Sequence, residues 1–147
     1  MSDNQALYTE EAIIGAVKRL LAGRVNELLG EVEFLIPPIE LTHKSNGGYY
    51  AVTPELGIST CERSEKDRIV LLDAYKVTII FTCPELNGER NCYAYAASVD
   101  RALREDPTLG GVADYALLIK KDYRGPKHPG TGEPWETELK IHVLVDF

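Results

Sequence analysis

Long apolar runs are missing from this 147-residue chain, and none approaches the ~20 residues that a membrane-crossing helix requires. The first residues, Met1-Ser2-Asp3-Asn4-Gln5, carry neither the basic segment nor the apolar stretch of a secretory leader. The expectation is a protein made and kept in a cytoplasm-like compartment, without a membrane partner. Cysteine is scarce as well. Cys61, Cys83 and Cys92 are odd in number and lack the paired spacings of a disulfide framework or a zinc site, so they read as reduced, structural residues. Cys92 sits near the start of a helix, where a thiol can be activated, but its place on an apolar stripe favours burial.

Other motifs of chemistry are absent too. His43, His128 and His142 stand apart from one another and from the cysteines, which leaves no metal-ligand cluster. No Gly-x-Ser-x-Gly elbow occurs, and Ser59, Ser64 and Ser98 read as strand, loop and helix-face residues. Neither Gly47-Gly48 nor Gly110-Gly111 opens a helix as a phosphate-binding loop does, so both pairs read as turn glycines. The carboxylates of Glu133, Glu136 and Glu138 are those of a solvated face. No cofactor is expected. Positive charge is in deficit: 16 Lys and Arg stand against 23 Asp and Glu, a formal −7, and a field of that sign repels phosphate backbones. Sequence-specific nucleic-acid binding is therefore not expected, although Lys120 and Lys121 form a local basic spot.

What is present is an ordinary globular composition, 44% apolar and 27% charged, in one domain of usual size. Residues 9–30 predict an amphipathic helix, with Ile13, Ile14, Val17, Leu20, Leu21, Val25 and Leu28 at three- and four-residue steps. Thr9 reads as its N-cap, Tyr8 with Ile13 as a staple, and Gly30 as a left-handed C-terminal cap. Residues 31–68 are cut by Pro37-Pro38, Asn46-Gly47-Gly48 and Pro54, and suggest short strands at 32–36, 49–52 and 58–61, with a solvated tip at 62–68.

A long strand follows at 69–82, with Tyr75, Val77, Ile79 and Phe81 on one face. Its expected partner is the last segment, where Leu139, Ile141, Val143, Val145 and Phe147 alternate with polar residues. Between them, residues 89–105 predict a second helix, with Cys92, Tyr95, Ala96, Val99 and Leu103 on one stripe and Pro107 enforcing its end. Residues 113–123 read as a further strand. The predicted fold class is α+β, a mixed or antiparallel sheet with two main helices packed on one face. The core is expected to hold Val17, Leu21, Val77, Ile79, Tyr95, Val99, Ile141 and Val143.

The 124–134 loop is rich in turn formers and longer than usual hairpin connections, which marks it as a contact surface. Arg124, Lys127, His128 and Trp135 are the subunit-interface candidates. Trp135 carries two readings, an interface anchor or a cover for the core edge.

The run Val99-Asp100-Arg101-Ala102-Leu103-Arg104-Glu105-Asp106-Pro107-Thr108-Leu109-Gly110-Gly111-Val112-Ala113-Asp114 resembles the helix-to-strand passage of tail-terminator and minor tail proteins of tailed bacteriophages and prophages. Asp106, Pro107, Leu109, Gly110 and Gly111 are its motif turn. The order of parts is similar also, over about residues 69–147, whereas residues 37–68 exceed the family's pattern. The resemblance implies a structural protein without catalytic activity. It further implies a homo-oligomeric ring, typically of six subunits, whose partners are the tail tube and head-connector proteins, assembled in the bacterial host cytoplasm and retained in the virion tail. The alternative is a small α+β enzyme or ligand-binding domain whose site is built from scattered residues.

Overall fold

The computed structural model describes residues 3–41, 52–60, 65–66, 69–70 and 72–146. The chain opens with helix α1 (Asp3–Leu20), widens through one π-helical turn (Leu21–Val25) and closes with α2 (Asn26–Gly30). The apolar stripe turns inward as its spacing requires: Ile13, Val17, Leu21 and Val25 are all fully buried. Two end signals differ from expectation. The helix starts at Asp3, so Thr9 lies inside it and is no cap; Glu10 and Glu11, good helix formers, follow it directly. Gly30 remains in the helix and the capping residue is Glu31, at a right-handed φ of −86°. The side chain of Tyr8 lies outside the described residues.

The 32–36 segment forms no strand. Pro37 and Pro38 have no N–H to contribute to a ladder, and what fixes this stretch is side-chain chemistry from the helices. The Asn26 amide donates to the Ile39 carbonyl at 2.9 Å and accepts the Ile39 N–H at 2.8 Å, while the Tyr95 hydroxyl donates to the Pro37 carbonyl at 2.5 Å. One parallel bridge, Ile39 to Val52, follows. The strand expected at 49–52 lies, apart from Val52, outside the described residues.

Strand β1 (Glu55–Thr60) begins just after Pro54, three residues ahead of the expected start. A two-residue ladder pairs β2 (Glu65–Lys66) with β3 (Ile69–Val70), so the expected 69–82 strand arrives as β3 and the longer β4 (Leu72–Cys83). Helix α3 (Gly88–Glu105), β5 (Tyr115–Arg124) and β6 (Trp135–Asp146) complete the chain. Four strands form an antiparallel sheet in the order β1-β4-β6-β5.

The register of β4 on β6 sets Val77 opposite Ile141, Ile79 opposite Leu139 and Tyr75 opposite Val143. One sheet face is thereby continuously apolar, and the helices lie over it. All eight core residues expected from the sequence are buried. Phe81 and Tyr95 stack at the centre with ring centroids 4.8 Å apart and planes 7° from parallel. The opposite face of the sheet, with Lys76, Thr78, Lys140 and His142, is only partly covered.

Candidate functional site

The passage from α3 to β5 is built around one carboxylate. Asp106 Oδ1 accepts from the Thr108 hydroxyl at 2.7 Å and the Thr108 N–H at 3.2 Å, and Oδ2 accepts from the Gly110 N–H at 2.8 Å. Leu109, Gly110 and Gly111 then follow at φ of 53°, 71° and 93°. Three consecutive left-handed residues explain two glycines; Leu109 tolerates the strain because its side chain is buried in the core. Pro107 places its carbonyl to accept the Ala116 N–H at 2.7 Å, which ties the turn to β5. The Thr108 hydroxyl and the Gly110 N–H hold the Asp106 carboxyl below the usual carboxylate range.

The 124–135 loop is latched from within the chain. Glu85, in the connection between β4 and α3, accepts the Gly130 N–H at 2.5 Å and the Gly132 N–H at 2.7 Å. Both glycines have positive φ, 87° and 83°. Glu133 accepts the Lys127 N–H, and the His128 carbonyl accepts the Thr131 hydroxyl at 2.6 Å. Of the four interface candidates, Lys127 and His128 are exposed on this loop, and Arg124 is exposed at the end of β5 beside Asp122 at 3.5 Å. Trp135 is half-buried and its indole lies between two glycines. A Cβ built on Gly88 would fall 2.5 Å from the Trp135 ring, and one on Gly125 would fall 3.0 Å from it. The indole is thus engaged with α3 and the loop base, in keeping with the core-edge reading.

Beside Trp135, an open cleft of about 420 Å³ is lined by Glu85, Gly88, Glu89, Arg90 and Tyr93. Its side chains are mostly committed. The Tyr93 hydroxyl donates to Glu89 at 2.8 Å, which pushes the phenol up, and the Tyr93 ring meets Tyr123 edge-on at 4.9 Å. The Arg90 guanidinium sits 3.8 Å over the Phe34 ring. Cys83 at the end of β4 and Cys92 in α3 are free, fully buried thiols with their sulfurs 3.6 Å apart. Among the described residues, no three His, Cys, Asp or Glu side chains converge in a metal-binding arrangement.

Neither a protein-family model nor a curated protein matches the chain.

Strand β5 is the site that sequence reading missed. It is an edge of the sheet, and Tyr115, Leu117 and Ile119 are exposed by 47%, 43% and 47%. The register shifts between Leu118 and Lys120, so Ile119 is a bulged residue and the alternation changes phase behind it. Tyr115 and Leu117 face away from the helices opposite Leu144 and His142, whereas Lys121 and Tyr123 turn toward α3, where Lys121 reaches Asp100 at 3.9 Å. The signal was the run Tyr115-Ala116-Leu117-Leu118-Ile119, apolar on both faces of a strand with helices on one side only. The motif-turn residues and the loop candidates do not come together: the 106–111 turn packs on the start of β5, and the 124–135 loop closes its other end.

Proposed function

We propose that this chain is a structural subunit of a phage or prophage tail, of the tail-terminator or minor tail type, which associates with copies of itself into a ring at the head–tail junction. Support comes from the order of parts over residues 69–147 and from the Asp106–Gly111 turn, whose hydrogen bonds give each motif position a structural task. The observation that carries the reading is β5: an edge strand bearing three large exposed apolar side chains is a surface suited to joining another chain. A closed ring needs two different surfaces that meet head to tail, and β5 supplies one of them. Tail tube and head-connector proteins are the further partners of this reading, the host cytoplasm and the virion tail its places, and neither a catalytic residue nor a cofactor belongs to it.

A second reading, a small-ligand site, rests on the 420 Å³ cleft with its aromatic and charged lining. Its weakness is that Tyr93, Glu89 and Arg90 already spend their polar and cationic groups on neighbours in the chain.

The deciding measurement is the mass distribution of the purified protein in solution, with electron microscopy of any ring. Leu117→Lys places a charge on the exposed strand face and is expected to shift rings to monomers while leaving the circular dichroism spectrum unchanged. A folded Leu117→Lys protein with an unaltered oligomer distribution would remove β5 from the interface.

A further inference from the structure

Among the described residues, the thiol pair is the one buried reactive cluster that an assembly role does not use. Two elements deliver it: Cys83 is the last residue of β4, and Cys92 lies on the inward stripe of α3, nine residues later. Both side chains are fully buried, and the sulfurs are in S–H···S contact at 3.6 Å. Closing that distance to a sulfur–sulfur bond needs a shift of roughly 1.6 Å, within what side-chain rotation and small backbone adjustment supply.

The surroundings favour one sulfur as the nucleophile. In the dithiol the Cys92 S–H donates to the Cys83 sulfur, and once Cys92 loses its proton the contact reverses and the Cys92 thiolate accepts the Cys83 S–H. That reversed contact holds the Cys92 thiol below its ordinary value, while the same contact and burial push the Cys83 thiol up. The two sulfurs thus differ in the sense that oxidation to a disulfide uses, Cys92 the more acidic attacking thiol and Cys83 the resolving one.

We propose that Cys83 and Cys92 form an oxidisable dithiol that a small uncharged peroxide converts into a disulfide, fastening the end of β4 to α3. Burial selects the oxidant. Hydrogen peroxide is close to water in size, whereas a disulfide such as oxidised glutathione cannot reach sulfurs with no exposed surface. The cleft beside Trp135 is the side of approach, because its wall is made by the neighbours of both sulfurs. Trp135 is the cross-strand partner of Cys83, and Gly88 is one helical turn before Cys92.

In the first step the Cys92 thiolate attacks one peroxide oxygen, the O–O bond breaks and hydroxide leaves, which gives a sulfenic acid on Cys92. The Cys83 sulfur then attacks the Cys92 sulfur, the S–O bond breaks, and the hydroxyl departs as water with the Cys83 proton. The thiols lose two electrons and two protons in total, and the peroxide ends as two waters. The covalent loop encloses Glu85, the residue that holds Gly130 and Gly132, so oxidation also stiffens the latch on the 124–135 loop.

The test treats the full-length protein with hydrogen peroxide, unfolds it in N-ethylmaleimide and weighs it intact. The expected product is lighter by two hydrogens before alkylation, takes up two fewer maleimides, and yields a Cys83–Cys92 cross-linked peptide. Its Trp135 fluorescence should fall, its melting temperature should rise by several degrees, and dithiothreitol should reverse all of these changes. Cys61→Ser is expected to behave as the parent does, and Cys92→Ser to lose the cross-link. Full alkylation of Cys83 and Cys92 after peroxide would overturn the proposal. So would a cross-link confined to Cys61, or oxygen addition at one thiol without a bond to the other. The parent and Cys61→Ser proteins decide the matter even where Cys92→Ser fails to fold.

Discussion

Asp106 shows how one side chain can hold a turn together and make it sensitive to acid. Its carboxylate receives three hydrogen bonds from Thr108 and Gly110, all of which favour the ionised form and lower its pKa. A carboxyl depressed in the folded state contributes stability that is fully present above the unfolded pKa, near 3.9, and that is lost as pH falls through the lowered folded value. Replacing Asp106 by Ala should cost about 1 kcal/mol at neutral pH, the usual net worth of a solvent-accessible hydrogen bond. The gap in melting temperature between parent and variant should narrow below about pH 4. A gap that stays constant down to pH 3 would mean that the turn does not depend on the charge. At this scale the sequence was legible where chemistry is local. Asp-Pro-Thr-Leu-Gly-Gly announced a helix stop and a positive-φ turn, and both are present. It was silent where a residue works at a distance in the chain. Glu85 meets Gly130 and Gly132 from 45 and 47 positions away, and Asn26 meets Ile39 across 13, and no periodicity marks such pairings.

Among the elements, those with a sustained period were readable and those held by single contacts were not. Strands β4 and β6 pair in the register that puts their alternating apolar residues on one face, and α3 ends at Glu105 as Pro107 requires. The stretch from Glu31 to Leu41 follows the surface of the helices without a ladder of its own, so a pattern search for strands there had nothing to find. The 124–135 loop is intermediate. Its glycines signalled turns, but its length suggested a free contact surface, whereas Glu85 and Glu133 fix its backbone from inside the chain. Replacing Glu85 by Ala should leave the sheet intact and release this loop. Amide exchange at Gly130 and Gly132 should quicken several-fold, and a protease should gain a cleavage site between Lys127 and Gly132. The global cost should be about 1 kcal/mol, because the freed N–H groups are exposed and water replaces the carboxylate. Unchanged exchange at both glycines would show that the loop holds itself.

For the molecule as a whole, the quantity that matters in the proposed ring is charge. Each subunit carries a formal −7, so a ring of them faces a passing nucleic acid with a repulsive field and has few counterions to release from it. The structure also shows why the local basic spot does not change this. Lys121 turns toward α3 and meets Asp100, which leaves Lys120, set opposite Lys140 on the open sheet face. The next pair on that face is Asp122 opposite Glu138, followed by Arg124 opposite Glu136, so positive charge is interrupted within two residues in either strand. With Lys76 of β4 diagonal to Lys140, three lysines make up this patch, enough to meet a few phosphates at most. In a gel-shift titration at low salt, where electrostatic binding is strongest, duplex DNA should run unretarded at protein concentrations of about 10 μM. Reversing Asp122 and Glu138 to Lys should extend the basic face to five residues across β5 and β6 and bring on retardation that disappears as salt is raised. Tight binding by the parent protein would contradict the charge argument and, with it, the picture of a ring through which DNA slides without adhering.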